Sequence, residues 1–199
     1  MNKITRVIIA TGGTGGHVFP AYSLAKHFEE KNINVQITSD KRGLKYLEDY
    51  KDIKTYQINS STIFGKNIFK SLFSTIIIFY SLMKSLIFLV TNKPNLVFGM
   101  GGYSSFSVCI AARLLKIPLV IYENNLHIGR TNKYLLPFAK KIFVSYKELD
   151  GVPIKYKDKI FQIGNIIRKE IIDFKNPPIN VSEDKKIKIL VLGGSQAAK

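Results

Sequence analysis

The sequence predicts an α/β fold, a parallel β-sheet with helices on both faces, and three observations predict it. Short continuous apolar runs recur, as expected of strands buried on both faces. Segments with helical spacing lie between them. Several runs end abruptly in glycines, the punctuation of a strand turning into a helix.

In chain order, Val7-Ile8-Ile9-Ala10 is the first strand, ending in Thr11-Gly12-Gly13-Thr14-Gly15-Gly16. Residues 18–31 follow as a helix, with Leu24, Ala25 and Phe28 on one face. Asn34-Val35-Gln36-Ile37-Thr38 is a strand, residues 41–50 a helix, and residues 53–58 a weaker strand. Leu96-Val97-Phe98-Gly99 ends in Met100-Gly101-Gly102, and residues 108–115 are helical. Pro118-Leu119-Val120-Ile121-Tyr122 and Lys141-Ile142-Phe143-Val144-Ser145 are further strands, and Ile160-Phe161-Gln162-Ile163 is strand-like.

Residues 68–90 are the most apolar stretch. A bilayer span needs about 20 apolar residues, but Lys70 and Lys84 and four serines interrupt this one. A long helix, part core and part membrane-facing, is expected, with its lysines reaching toward headgroups. Near the end, Asn176-Pro177-Pro178 opens a linker over 176–186. Ile187-Lys188-Ile189-Leu190-Val191-Leu192-Gly193-Gly194-Ser195 then repeats the opening pattern, as the first strand of a second α/β unit.

Of 199 residues, 46% are hydrophobic, enough for a core and too many for a disordered chain. The net charge is +16. That favours anionic partners, although a lysine-rich proteome would give the same excess. The single cysteine, Cys109, cannot form an intrachain disulfide and sits in an apolar helix as a core filler, which fits a reducing compartment. The opening residues do not form a secretory signal.

Chemistry concentrates where strands end. The loop from Gly12 to His17 combines small residues with the start of a helix, where free amides and the helix dipole attract phosphate. It is neither a Walker A motif nor a dinucleotide fingerprint, since Val18 stands where the last glycine belongs. His17 follows at the carboxyl edge of the sheet and is the candidate general base; His27 and His127 are read as structural or solvated. A second turn, Gly101-Gly102-Tyr103-Ser104-Ser105, can extend the anion-binding crevice, with capping as the simpler role for the serines. Tyr122-Glu123-Asn124-Asn125 offers amides and a carboxylate to sugar hydroxyls, or ordinary turn chemistry. Gly164-Asn165-Ile166-Ile167-Arg168 adds an arginine able to clamp a phosphate.

These loops, in this order, resemble the MurG family of glycosyltransferases. The family's Gly-Gly-Thr-Gly-Gly-His is matched at Gly12 to His17, with Pro20 following, and its Gly-Met-Gly-Gly-Tyr at Gly99 to Tyr103. Its Glu-Gln-Asn element and Thr-Asn-Lys are matched by Glu123-Asn124-Asn125 and Thr131-Asn132-Lys133. Its Gly-Asn-Pro-Val-Arg is matched at Gly164 to Arg168, and its Gly-Gly-Ser-Gln-Gly at Gly193 to Ala197. Asn124, Ile166 and Ala197 depart from the pattern.

The resemblance implies the N-terminal half of a GT-B fold. Residues 1–175 would be a Rossmann-like acceptor-binding domain, 176–186 the linker, and 187–199 the first strand of a donor-binding domain otherwise missing. It implies inverting transfer of N-acetylglucosamine from UDP-N-acetylglucosamine to lipid I, giving lipid II for peptidoglycan. The setting would be peripheral, on the cytoplasmic face of the bacterial inner membrane, against anionic lipid. Thr14, Gly15, Gly16, Asn125, Arg168 and Ser195 match donor-nucleotide contacts, and His17 a histidine that assists deprotonation of the acceptor. Gly12, Gly13, Gly101, Gly102, Tyr103 and Ser104 are the candidate acceptor-diphosphate loop. No cofactor, metal or nucleic acid is expected, and the chain contains no Asp-x-Asp pair. The 199 residues alone are expected to be inactive unless a separate chain supplies the second domain. Two other readings stay open: a nucleotide-binding module, perhaps NAD-dependent, with Asp40 reading a ribose, and a nonfunctional remnant.

Overall fold

The computed structural model describes residues 3–59 and 68–174, with side chains of the long helix from Ser74 onward. The linker, the repeat of the opening pattern and Ser195 lie outside the described residues. Seven strands form one sheet, ordered β3-β2-β1-β4-β5-β6-β7 and parallel throughout. They are β1 Arg6–Ala10, β2 Asn34–Ser39, β3 Lys54–Gln57, β4 Leu96–Gly99, β5 Leu119–Glu123, β6 Lys141–Val144 and β7 Ile160–Gln162. The helices are α1 Gly15–Glu30, α2 Lys41–Lys45, α3 Ile68–Asn92, α4 Tyr103–Leu114, α5 Arg130–Leu135 and α6 Lys169–Ile172, with a 3-10 turn at Ile154–Lys159.

The central strands are apolar on both sides because both sides are covered. Val7 and Ile9 of β1 face Val18, Ala21 and Ala25 of α1, while Ile8 and Ala10 face the layer formed by α3, α4 and α5. Cys109 is fully buried in that second layer. Burial pushes its thiol far above the ordinary range, so it stays a neutral apolar filler.

Element boundaries shift most at helix starts. Helix α1 begins at Gly15 rather than residue 18, and α4 at Tyr103 rather than residue 108, so both glycine turns run straight into helix. Helix α2 is shorter than predicted, ending at Lys45, and α5 stands where only loop was expected.

Helix α3 is half core, half exposed apolar surface. Phe88 and Leu89 are buried, and Ser81 and Ser85 turn inward to bond backbone carbonyls. Ile76, Phe79, Tyr80, Ile87 and Val90 form the opposite stripe, each more than half exposed. The expectation that its lysines reach outward is corrected for Lys84. Its ammonium sits 5.1 Å from the Tyr56 ring centroid, in a cation–π contact on β3. The side chain of Lys70 lies outside the described residues.

The chain leaves β1 for β2 and β3 on one side, then returns to place β4 on the other. Between the carboxyl ends of β1 and β4 the strand order reverses, which opens a crevice in a sheet of this kind.

Candidate functional site

Three loops meet at that crevice: residues 11–14 after β1, 100–102 after β4 and 124–129 after β5. The ladder extends past the strands, with Thr11 N donating to Thr38 O (2.9 Å) and Met100 N to Ala10 O (2.8 Å). The first two loops then touch backbone to backbone. Gly102 has φ +81°, and a Cβ there would lie 2.4 Å from the Gly12 carbonyl oxygen. A Cβ on Gly12 would lie 1.8 Å from Ser104 Oγ. Glycine is required at Gly102 by backbone contact and by conformation, whereas a Cβ on Gly12 would displace the Ser104 hydroxyl.

Ser104 is 1% exposed, and its hydroxyl donates to Thr11 O at 2.9 Å. It therefore locks the two loops together rather than presenting a hydroxyl to the crevice. Ser105 donates to Gly102 O within its own turn (2.8 Å), a bond to a carbonyl rather than a cap on the free amides of the helix start. Thr14 is the N-cap residue of α1, but its side chain makes no capping bond, and the first turn holds no acidic residue. The amides of Gly15 and Gly16 precede the helix's own ladder and point their partial positive charge outward. Helix α4 likewise starts at a side-chain-free cap, Gly102, followed by half-buried Tyr103.

Pro20 links the first loop to the third. Lacking an N–H, it leaves the Gly16 carbonyl one turn earlier without its helical donor. Asn124 Nδ2 takes that carbonyl at 2.9 Å. This tether spans 108 positions and no local motif announces it, although a proline inside a helix signals a carbonyl needing a partner.

Glu123 corrects the expectation for the third loop. Its carboxylate is 1% exposed and turned inward rather than toward a sugar. Oε1 accepts from Asn125 N (3.1 Å) and Asn125 Nδ2 (2.7 Å); Oε2 accepts from Gly129 N (2.8 Å) and Asn132 Nδ2 (3.0 Å). Four donors satisfy the charge and set the loop's path. The fourth loop hangs on the buried Tyr122 hydroxyl, which meets Ser145 Oγ, Gly164 O and Ile166 N at 2.7, 3.2 and 3.2 Å. Arg168 is thereby held against α1, its guanidinium 4.4 Å from the Phe19 ring centroid.

His17 lies in the first turn of α1 with its ring over Gly101, whose Cβ would be 3.1 Å from Cε1 and 3.3 Å from Nδ1. Burial lowers its pKa below the ordinary 6.5; the Glu123 carboxylate and the Met100 carbonyl oppose this without offsetting it. His27 and His127 are largely exposed and stand 3.9 Å from Glu30 and 3.5 Å from Asp150. Asp40 is buried and engaged: it caps α2 through Gly43 N (2.8 Å), pairs with Arg42 (3.3 Å) and meets Gly13 N (3.4 Å). A carboxylate so occupied is a poor reader of a ribose, which counts against the dinucleotide reading.

The arrangement can gather diphosphate oxygens on backbone amides beside one neutral imidazole. Residues 7–144 match the glycosyltransferase family 28 N-terminal domain. Among curated relatives, the chain is 38% identical over 200 residues to an enzyme of Pelagibacter ubique (strain HTCC1062). That enzyme is named UDP-N-acetylglucosamine–N-acetylmuramyl-(pentapeptide) pyrophosphoryl-undecaprenol N-acetylglucosamine transferase, and the match covers 100% of this chain and 54% of the relative. An equally named enzyme of Francisella philomiragia is 36% identical, over 99% of this chain and 54% of the relative. The chain thus spans about half the length of these curated relatives.

The fold matches the crystal structure of Acinetobacter baumannii MurG with a TM-score of 0.68 at 29% identity, over 79% of this chain and 45% of that one. It also matches the fold of a Neisseria meningitidis UDP-GlcNAc 2-epimerase at a TM-score of 0.57 and 19% identity, over 80% and 46% of the two chains. With its glycine turns and its His17 inside the matched segment, the chain belongs to glycosyltransferase family 28, through that family's N-terminal domain.

Proposed function

We propose that this chain is the acceptor-facing half of an inverting, membrane-associated N-acetylglucosaminyltransferase that converts lipid I to lipid II. The observation that carries the reading is the meeting of two uncapped helix starts and His17 at the strand-order reversal. The acceptor hydroxyl attacks the anomeric carbon of the donor, its proton passes to His17, and UDP departs with the bonding electron pair. Thr14, Gly15, Gly16, Asn125 and Arg168 serve the donor nucleotide, together with Ser195. Backbone groups of Gly12, Gly13, Gly101, Gly102 and Tyr103 face the acceptor diphosphate, with Ser104 holding their geometry. Preorganised amides stabilise the leaving charge without needing to reorganise.

The test is transfer of labelled N-acetylglucosamine to a lipid I analogue. The 199-residue chain alone is expected to give no turnover, and the chain joined to the second domain of the Pelagibacter relative is expected to give turnover. Failure of the joined protein, correctly folded, would overturn the transferase reading.

The exposed stripe of α3 and the excess of basic residues support docking on anionic lipid. Burying a Phe or Ile side chain contributes about 1.5–3 kcal/mol. Phe79→Glu and Ile87→Glu are each expected to lower partition onto anionic liposomes by about tenfold or more. Sedimentation at rising salt checks this; binding indifferent to salt, lipid charge and both substitutions would remove the membrane from the proposal.

A further inference from the structure

One aromatic ring, that of Phe19, touches both the first turn of α1 and the arginine of the fourth loop. Phe19 stands one turn after Gly15, and a helical side chain leans back over the turn before it. A Cβ on Gly15 would lie 3.1 Å from Phe19 Cε2, 3.3 Å from Cδ2 and 3.4 Å from Tyr46 Cε1. The place of a side chain at Gly15 is therefore crowded by two rings. Tyr46 and Tyr50 meet the Phe19 ring edge-on, at centroid separations of 5.8 and 6.4 Å and interplanar angles of 71° and 75°. Tyr22 in turn packs on Tyr50 at 4.4 Å. Edge-to-face contacts are favoured between aromatic rings, and two of them fix how the Phe19 ring is turned. The guanidinium carbon of Arg168 lies over that ring, 4.4 Å from its centroid.

The backbone leading to Arg168 is held separately. Ile166 N donates to the Tyr122 hydroxyl at 3.2 Å, and Arg168 is the N-cap residue of α6. Its side chain is half-buried, and among the described residues no carboxylate lies within salt-bridge distance of it. An aromatic ring attracts a guanidinium through its face and takes none of its hydrogen bonds. The N–H groups of Arg168 thus keep their capacity for an anion. The amides of Gly15 and Gly16 have the same capacity, being the first of α1.

We infer that Phe19 is a positioning residue whose ring holds the Arg168 guanidinium beside the first turn of α1, so that both address one diphosphate, that of the donor nucleotide. The inference rests on the reading that Arg168 and residues 14–16 serve the donor. Phe19 itself touches no substrate and acts through Arg168. Without the ring, the long arginine side chain regains its rotamers, and ordering it again on binding costs affinity. Immobilising one such side chain corresponds to about a three- to tenfold change in affinity. A tyrosine at position 19 keeps the aromatic face, whereas leucine keeps only apolar bulk.

The test is calorimetric binding of UDP to the chain joined to the second domain of the Pelagibacter relative, which needs no acceptor and no turnover. Phe19→Leu is expected to weaken UDP binding by about three- to tenfold, and Phe19→Tyr to restore most of it. Arg168→Ala is expected to weaken it at least as much as Phe19→Leu. The double variant is expected to bind no worse than Arg168→Ala alone, since the ring acts only through the arginine. Phe19→Met is the second variant, read the same way, in case Phe19→Leu does not fold. If the two losses multiply, or if Phe19→Tyr binds as poorly as Phe19→Leu, the ring supports the fold or the donor by another route and the inference is overturned. If Arg168→Ala binds UDP as well as the parent, the donor role of Arg168 falls and the inference falls with it. A joined protein that binds UDP with this pattern but transfers no sugar overturns the transferase reading and leaves the positioning role of Phe19 standing.

Discussion

Replacing His17 with alanine is expected to lower the transfer rate by about 10²- to 10⁴-fold, the range typical of a lost general base. The measurement is made on the chain joined to a family second domain. The ring packs over Gly101 and its buried Nδ1 makes no hydrogen bond, so a circular-dichroism spectrum of the variant checks that the fold is kept before the rate is compared. The loss should fall on kcat, with the KM for UDP-N-acetylglucosamine little altered, because proton acceptance is made only in the transition state.

The pH profile gives an independent sign. A base must be unprotonated, so the rate falls as pH drops through the pKa of His17. Burial lowers that pKa, so the acid limb lies below the ordinary 6.5 rather than above it. Loss of the limb in His17→Ala, alongside the loss of rate, would tie it to this ring. A His17→Ala enzyme with an unchanged rate would move the proton elsewhere and leave the glycine turns as a binding surface only.

Strands and their burial were legible because apolar residues on both faces leave little else for a segment to be. Val7-Ile8-Ile9-Ala10 and Leu96-Val97-Phe98-Gly99 read as central strands and are the two that flank the crevice. The first turns of α1 and α4 were not legible. Gly15, Gly16 and the run Tyr103-Ser104-Ser105 have poor helix propensity, and only tertiary contacts make them helical. Helix α5 escaped notice for the same reason, as a short segment beginning Arg130-Thr131-Asn132.

The loops of the site were visible as places, but the work of individual side chains was not. Glu123 looks like a carboxylate offered to a ligand until the chain's return brings Gly129 and Asn132 beneath it. Ser104 looks like a helix cap or a phosphate contact, and its partner Thr11 is 93 positions away. Asn124 departs from the family pattern, yet its amide holds the carbonyl that Pro20 releases. Such contacts depend on which strand ends lie side by side, and strand order is not written in any local run of residues.

Gly102→Ala is the substitution expected to cost the most stability, and Gly13→Ala is its internal control. Both glycines have positive φ, +81° and +87°. Holding a residue with a Cβ in a sparsely populated region costs about 1–3 kcal/mol. At Gly13 nothing lies within 4 Å of the added carbon, so this is the whole effect. At Gly102 the added carbon would lie 2.4 Å from the Gly12 carbonyl oxygen and 2.8 Å from its carbon. These are backbone atoms of a neighbouring loop and cannot rotate aside as a side chain would. Overpacking of this kind adds about 1–3 kcal/mol, against a total stability of about 5–15 kcal/mol for a domain. Urea midpoints at constant slope give both values. The loops can relieve the clash only by parting, which draws Ser104 from Thr11 and Gly101 from beneath His17. Gly102→Ala should therefore lose transfer activity well beyond its loss of folded protein, while Gly13→Ala loses stability without that clash. Equal midpoints for the two variants would mean that the loops do not touch, and the crevice would lose the contact on which its shape depends.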